Sequence, residues 1–178
     1  MKIVALSGFS KSGKDTAYAF LDHSKRYVRV AFADPLKQDV SGCVVALLNH
    51  VPGFDLSIPE QKDKFRPMWV LWSKVSKLFD PMIWVKRAAE TIYAQREDAI
   101  IVLTDVRYDF EVDFIQSLGG RVFYIDRPGV GPANEEEFIS FFDIFTAFPE
   151  ITSDPIYNDG TKEQLGAALQ ERIECMKI

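Results

Sequence analysis

The sequence predicts a three-layer α/β fold, with a mostly parallel sheet flanked by helices. Patterns typical of strands alternate with patterns typical of helices along most of the chain. Residues 3–6 and 100–103 are continuous apolar runs, which are typical of strands buried on both faces of a parallel sheet. A glycine-rich loop at residues 8–14 separates the first strand from a helix, and parallel α/β proteins bind ligands at such strand ends.

The first half of the chain contains two predicted strands and a long helical stretch. Asp34 fits an N-cap position and Pro35 a first helical turn, so a helix is predicted directly after the second strand. Ser57 and Glu60 have the spacing of a capping box, and Asp80 precedes a proline as Asp34 does. The predicted elements are a strand at 3–6, a helix from 14 to about 23, a strand at 28–32, helices starting near 35, 57 and 81, and a loop at 50–58.

The second half returns to the alternation of strands and helices. Thr161 and Gln164 form a second capping-box pattern, which predicts the start of the last helix. The other predicted elements are strands at 100–103, 122–125 and 156–157, a helix at about 109–118, and a turn at 158–160. Two segments, at about 35–95 and about 127–150, interrupt the alternation. We expect both to be insertions within one domain that spans residues 1–178.

Composition excludes several classes of protein. The 178 residues include 21 Lys and Arg against 26 Asp and Glu, and the resulting net charge of −5 argues against a general binder of polymeric nucleic acid or of membrane surfaces. Two cysteines and two histidines, in no metal-like spacing, argue against a zinc site and suit reduced thiols. No apolar run is long enough to span a membrane, and the first residues are too short an apolar stretch for a signal peptide. We therefore expect a cytoplasmic protein.

The loop from Gly8 to Lys14 fits the pattern G-x-x-x-x-G-K between a strand and a helix. Glycines let backbone N–H groups wrap around a phosphate, and the helix N-terminus adds the positive end of its dipole. Lys14 can then reach the β- and γ-phosphates of a nucleotide. The alternative is a glycine- and serine-rich turn without a ligand. The predicted nucleotide-binding residues of this loop are Gly8, Ser10, Lys11, Ser12, Gly13, Lys14, Asp15 and Thr16.

Asp15 departs from the usual pattern, in which a Ser or Thr hydroxyl after the lysine ligates Mg²⁺. A carboxylate can hold the metal directly or through water. Thr16 lies about 100° further round the helix. It cannot simply replace the missing hydroxyl, and the α-phosphate is its expected contact.

The chain resembles the deoxynucleoside monophosphate kinases of tailed bacteriophages. The resemblance is carried by the loop ending at residues 13–16 and by the Asp105-Val106-Arg107 sequence after the central strand. Weaker matches in the same order are residues 32–37, 79–80, 84–85, 127–129 and 158–160, so the resemblance covers most of the chain. It departs at the helix around Arg66, where the family usually has a Gln and a Gly-Thr after the arginine, and in the shortness of the lid-like segment.

The resemblance implies a P-loop kinase that uses ATP and Mg²⁺ to phosphorylate a deoxynucleoside 5′-monophosphate, in the host cytoplasm if the chain is phage-encoded. The loop also resembles that of animal-type phosphomevalonate kinases, so a kinase of another phosphorylated metabolite is the first alternative. A nucleotide-binding protein that has lost turnover is the second.

Two residues follow the central strand at its predicted carboxyl end. Asp105 fits an acidic ligand for Mg²⁺ or its waters; the alternative is an N-cap of the next helix. Arg107 fits a bidentate clamp on the acceptor phosphate; the alternative is a surface ion pair with Asp109 or Glu111.

Four residues in the helical stretch are candidates for the acceptor. Lys37 and Arg66 are the expected cations, with exposed helix faces as the alternative. Trp69 and Trp84 could stack on the base, although aromatic residues at helical spacing are more often core. Lys86 and Arg87 are expected on a solvated face.

Arg127 begins the lid-like segment and is predicted to close over the transferred phosphoryl group, with a plain loop cation as the alternative. In the same segment Glu135, Glu136 and Glu137 are expected to be a solvated first helical turn. Asn158 and Gly160 are predicted to border the adenine. Five phenylalanines between 138 and 148 have helical spacing, which favours a helix packed on the core over a surface for a homodimer. Both histidines, His23 and His50, are expected to be structural or exposed.

Overall fold

A computed structural model of the protein describes residues 1–21 and 27–176. The chain packs into two compact units. One is formed by Met1–Ala31 together with Ile92–Ile178, and the other by Phe32–Thr91. The predicted end of the first helix near His23, and the expectation for His23 itself, lie outside the described residues. Within the described ranges, no helix is both long and apolar enough to cross a bilayer.

A parallel sheet forms the centre of the first unit. Its strands lie in the order β2-β3-β1-β4-β5, and every neighbouring pair is parallel. Because all strands run the same way, the segments that follow their carboxyl ends lie at the same edge of the sheet. This confirms the predicted α/β fold with a mostly parallel sheet. The strands are β1 (Lys2–Ser7), β2 (Tyr27–Val30), β3 (Ile100–Val106), β4 (Arg121–Asp126) and β5 (Ile156–Tyr157).

Helices follow most of the strands. The segment at 127–150, expected to be a lid-like insertion, contains two helices in the structure, and the first of them includes four of the five phenylalanines that were expected on a helix. The helices are α1 (Lys14–Ala19), α2 (Ala33–Asp39), α3 (Ser41–His50), α4 (Pro59–Phe79), α5 (Ile83–Tyr93), α6 (Asp109–Ser117), α7 (Glu135–Ala147), α8 (Glu150–Ser153) and α9 (Lys162–Cys175).

Apolar side chains from alternate strand positions bury both faces of the sheet. On one face, Val4 and Leu6 of β1 belong to a core cluster with Leu165 and Leu169 of α9. On the other face, the Tyr124 ring of β4 contacts Phe141 and Phe145 of α7 in edge-to-face geometry, with centroids 6.3 and 5.2 Å apart. Helices therefore form a layer on each side of the sheet. Because β1 is the middle strand in the order, the loop that follows it lies at the centre of the sheet edge.

The second unit is built from α2, α3, α4 and most of α5, and three predicted helix starts are tested there. Asp34 is not the N-cap of α2, because Phe32 takes that position and Asp34 lies inside the first turn. Ser57 does not form a capping box, because α4 begins at Pro59 and the Ser57 amide donates to Asp55 instead. The predicted helix start near Asp80 is confirmed, because α5 begins three residues later. The Asp80 carboxylate accepts from the Met82 amide at 3.0 Å, just before the helix.

The capping box of the last helix is confirmed. The Thr161 hydroxyl accepts from the Gln164 amide at 3.2 Å, and the Gln164 side chain accepts from the Thr161 amide at 2.8 Å. These two bonds satisfy N–H groups that the start of a helix leaves without intrahelical partners.

Candidate active site

The two motif glycines of the loop after β1 have backbone conformations that side chains rarely adopt. Gly8 has φ +145° and Gly13 has φ +109°. A Cβ at Gly8 would lie 2.7 Å from the Ile125 carbonyl oxygen, and one at Gly13 would lie 2.4 Å from the Asn158 side-chain nitrogen. Both the turn and the close approach of neighbouring atoms therefore require glycine at these positions.

Lys14, the first residue of α1, bends back over this loop. Its ammonium group donates to the Gly8 carbonyl at 2.5 Å and to the Phe9 carbonyl at 2.9 Å, and it lies 3.5 Å from the hydroxyl of the buried Ser12. The loop thus holds a cation at its mouth through backbone carbonyl groups.

Burial and, after it, the positive charge of Arg107 lower the pKa of Lys14 to about 8. The carboxylates of Glu137, Asp15 and Asp105 act in the opposite direction. Two cations and three carboxylates are therefore close enough to interact at this edge of the sheet. The three carboxylates balance part of the positive charge of Lys14 and Arg107. A bound phosphate would add further negative charge next to the same two cations.

Asp15 and Asp105 are the predicted metal ligands, and both act on Lys14. The Asp15 side chain is 83% exposed and lies 3.9 Å from the Arg29 guanidinium. Asp105 is half-buried near the end of β3. It does not cap α6, because Tyr108 occupies that position. Carboxylate oxygens with room for water suit Mg²⁺ by their chemistry, but no group of three or more His, Cys, Asp or Glu side chains able to hold a metal occurs among the described residues.

Arg107 follows β3 and is exposed. Its backbone N–H and that of Tyr108 both donate to one carboxylate oxygen of Glu111, at 2.7 and 3.2 Å. Glu111 is buried, so these bonds fix the backbone that carries Arg107. From the sequence, Glu111 was expected at most to form an ion pair with the Arg107 side chain. In the structure its carboxylate accepts hydrogen bonds from the backbone.

The segment after β4 is bonded at two points to the loop at residues 8–14, which we call the phosphate loop. The Arg127 guanidinium donates to the Lys11 carbonyl at 3.1 Å. The Glu137 carboxylate accepts from the Ser10 amide at 2.8 Å. The expectation that Glu137 belongs to a solvated turn is therefore wrong. Its spacing after Asn134, the N-cap of α7, was a signal for a bonded carboxylate, but the link to Ser10 spans 127 residues and has no local signal.

The loop after β5 supports the phosphate loop from another side. The Asn158 side chain donates to the Ser12 carbonyl at 2.7 Å, and its backbone N–H donates to the Asp126 carbonyl at 2.7 Å. Gly160 lies two residues further on, where a Cβ would collide with the Gln164 side chain. Asn158 thus joins the phosphate loop to the ends of two strands, while Thr16 lies half-buried in the first turn of α1.

The predicted acceptor cations belong to the helical unit and are largely exposed. Lys37 lies 3.5 Å from Asp34, and Arg66 lies 3.3 Å from Asp63. Exposed pairs of this kind contribute about 0.2–1 kcal/mol. Both cations therefore have only weak intramolecular partners to give up for an anionic ligand.

The tryptophans of this unit are packed among other side chains. Trp84 is 5% exposed, and the Arg87 guanidinium lies 5.9 Å from its ring centroid. Trp69 is half-buried and contacts the Phe65 ring edge to face, with centroids 5.1 Å apart. Arg87 is not solvated as expected, because it donates to Asp39 at 2.5 Å. Lys86 pairs with Asp80 and remains on the surface.

No protein-family model matches the chain. The chain is similar to a protein of Acanthamoeba polyphaga mimivirus described as "Putative deoxynucleotide monophosphate kinase". The two are 25% identical over 155 residues, which cover 73% of this chain and 76% of the relative.

The fold is similar to the crystal structure of TT1252 from Thermus thermophilus, with a TM-score of 0.52 and 17% identity over 99% of this chain and 98% of that chain. At this identity the likeness concerns the fold alone. A parallel sheet flanked by helices, with a glycine-rich phosphate loop after its central strand, is consistent with a P-loop kinase-like fold.

Proposed function

We propose that the protein is a kinase that transfers a phosphoryl group from ATP to a deoxynucleoside 5′-monophosphate. The observation that carries the proposal is the loop from Gly8 to Lys14, with its two glycines at positive φ and an ammonium group bonded to its backbone carbonyls. Such a loop presents backbone N–H groups and a cation to successive phosphates of a nucleotide. The choice of a deoxynucleoside monophosphate rests on the name of the mimiviral relative and on the sequence resemblance.

Phosphoryl transfer needs positioning and neutralisation of charge more than covalent help from the protein. Lys14 and the loop amides would hold the donor phosphates, with Asn158 keeping the loop in place through Ser12. Mg²⁺ bound with ATP would neutralise charge on the phosphate oxygens, and Asp15 and Asp105 are the residues proposed to hold it or its waters.

The acceptor side of the proposal uses cations. Arg107, on backbone fixed by Glu111, would clamp the acceptor phosphate, and Lys37 and Arg66 are proposed to bind the same substrate. Arg127 would act on the transferred group from the lid-like segment, which we propose spans about 127–150. These cations provide the local positive charge that a net-acidic chain needs to bind two anionic substrates.

A coupled assay of ADP release tests the proposal. We expect turnover with at least one of dAMP, dGMP, dCMP and dTMP, and none with phosphomevalonate. Lys14→Ala is the matched control, because it should abolish turnover while the circular dichroism spectrum stays unchanged. Turnover with phosphomevalonate alone would replace the substrate class. ATP binding without turnover on any acceptor would leave a nucleotide-binding protein instead of an enzyme.

A further inference from the structure

One amide of the phosphate loop already has an anionic acceptor from the chain itself. Glu137, in the first turn of α7, accepts from the Ser10 amide through Oε1 at 2.8 Å and from the Ala133 amide through Oε2 at 2.6 Å. Ser10 is the third residue of the loop, and its N–H is one of those that the proposed function assigns to the donor phosphates. A carboxylate therefore occupies a place where a phosphate oxygen would bind.

We propose that Glu137 is a gate residue that competes with the nucleotide phosphates for the Ser10 amide. This inference rests on the proposed function, because it requires a polyphosphate to bind at the loop. A single N–H group cannot donate a strong hydrogen bond to two acceptors at once, and two anions at the same position repel each other. Nucleotide binding must then displace the Glu137 carboxylate. In the free protein the gate is closed, which means that Glu137 occupies the Ser10 amide.

The electrostatics of the loop explain why a carboxylate is tolerated there. Lys14 is partly buried and lies near the positive charge of Arg107, and the negative charge of Glu137 offsets part of the cost of holding Lys14 in its charged form. A bound polyphosphate brings more negative charge to the same cations than one carboxylate does. Without a ligand, the Glu137 carboxylate therefore stays on the Ser10 amide, and a bound polyphosphate displaces it. This is the behaviour expected of a gate.

The same exchange would release one end of the lid-like segment. Arg127 bonds to the Lys11 carbonyl and Glu137 to the Ser10 amide, so two neighbouring loop residues hold residues 127–137 at both ends. When the carboxylate leaves, the Arg127 contact can remain. The segment then keeps its arginine near the loop while the start of α7 becomes free to move.

A purely structural role as the cap of α7 is the competing explanation, and the two oxygens of Glu137 separate the explanations. Glu137→Ala removes both acceptor oxygens and so frees the Ser10 amide. Glu137→Gln removes the charge but keeps one oxygen, which can accept from either the Ser10 or the Ala133 amide. The neighbouring exposed Glu136 makes no side-chain contact with the loop among the described residues, so Glu136→Gln is the matched control for loss of one charge.

Isothermal titration with inorganic tripolyphosphate and with ADP tests the gate. Removing the competing acceptor raises the apparent affinity by the inverse of the fraction of wild-type molecules that are already open, for which we expect about tenfold. Glu137→Ala should show this gain with both probes, Glu137→Gln should show a smaller gain, and Glu136→Gln should match the wild type.

Equal affinities in wild type and Glu137→Ala would overturn the gate alone, and a lower melting temperature in that variant would then identify a helix cap. An equal gain in Glu136→Gln and Glu137→Ala would show a long-range effect of charge and would also overturn the gate. No binding of either probe to any variant would overturn the proposed function, and the gate with it.

Discussion

At the scale of single residues, Lys14 is the group whose environment departs most clearly from water. Burial and Arg107 lower its pKa to about 8 from the ordinary value of 10.5. The folded protein therefore gives up this proton at a lower pH than the unfolded chain does. Below about pH 8 both states are protonated and the buried charge costs stability; as pH rises from about 8 toward 10.5, that cost disappears and stability gains from this group.

Binding of ADP is predicted to take up a proton at a pH about one unit above the lowered pKa of Lys14. The free protein is then largely neutral at Lys14, whereas the phosphates of the ligand favour the charged form. Calorimetry in two buffers of different ionisation enthalpy measures the uptake. The Lys14→Ala variant should show none. An identical binding enthalpy in both buffers for the wild type would contradict the position given to Lys14.

Asp15 is predicted to set the dependence of activity on Mg²⁺. Its side chain is largely exposed and lies 3.9 Å from the Arg29 guanidinium, so Asp15→Ala should cost little stability. That variant should need a higher Mg²⁺ concentration, and Asp15→Ser should recover much of the activity because a hydroxyl is the usual ligand at this position.

Titration of activity with Mg²⁺ for wild type, Ala and Ser separates this role from a purely helical one. If Asp15 only favours the N-terminus of α1 through the helix dipole, its removal costs about 0.3–1 kcal/mol of stability. Three superimposable titration curves would therefore refute the metal role.

The sequence pattern predicted the phosphate loop, but only some of the residues that contact it from distant parts of the chain. The glycines and lysine lie within seven residues of each other, and their spacing carries the chemistry directly. Glu137, Asn158 and Arg127 reach the loop from more than 110 residues away. Asn158 and Arg127 were proposed from the resemblance, whereas the contact of Glu137 depends on the packing of α7, which no local pattern encodes.

At the scale of elements, two capping-box patterns had different outcomes for a physical reason. At Ser57, the proline two residues later has a fixed φ and takes the first position of α4, and Asp55 captures the Ser57 amide. At Thr161 no such competitor is present, and both reciprocal bonds form. The presence of strands and helices could be predicted from their hydrophobic patterns. The exact first residue of a helix depended on competition between neighbouring side chains.

Thr161→Ala is predicted to destabilise the protein by about 1 kcal/mol, because it removes the side-chain acceptor of the Gln164 amide at the start of α9. Urea denaturation measures the loss. Thr161→Ser is the matched control, since it keeps the hydroxyl and should stay close to the wild type. If Ala and Ser variants unfold at the same urea concentration as the wild type, the cap contributes nothing.

At the scale of the whole molecule, the chain divides its proposed tasks between its two compact units. The phosphate loop, Lys14 and Glu137 belong to the unit that contains the sheet, as does Arg107, the third proposed acceptor cation, whereas Lys37 and Arg66 belong to residues 32–91. Alternating strands and helices predicted the first unit well. The second was predicted only as a helical insertion, because amphipathic helices indicate that they are buried but not against which partner.

This division predicts that substitutions in the helical unit change acceptor kinetics without changing nucleotide affinity. Arg66→Ala should raise the KM for the deoxynucleoside monophosphate about tenfold or more, as expected when a charge-assisted contact to phosphate is lost. The Kd for ADP should stay at its wild-type value. Steady-state kinetics and calorimetry on the same preparations measure the two constants.

Lys62→Ala, an exposed lysine one turn earlier on α4, is the matched control for loss of a positive charge and should leave both constants unchanged. Loss of the weak Arg66–Asp63 pair alone would cost at most about 1 kcal/mol of stability and leave KM untouched. A normal KM in Arg66→Ala would therefore remove Arg66 from the acceptor site. A raised Kd for ADP in the same variant would contradict the division of tasks itself, because residues 32–91 would then take part in binding the donor.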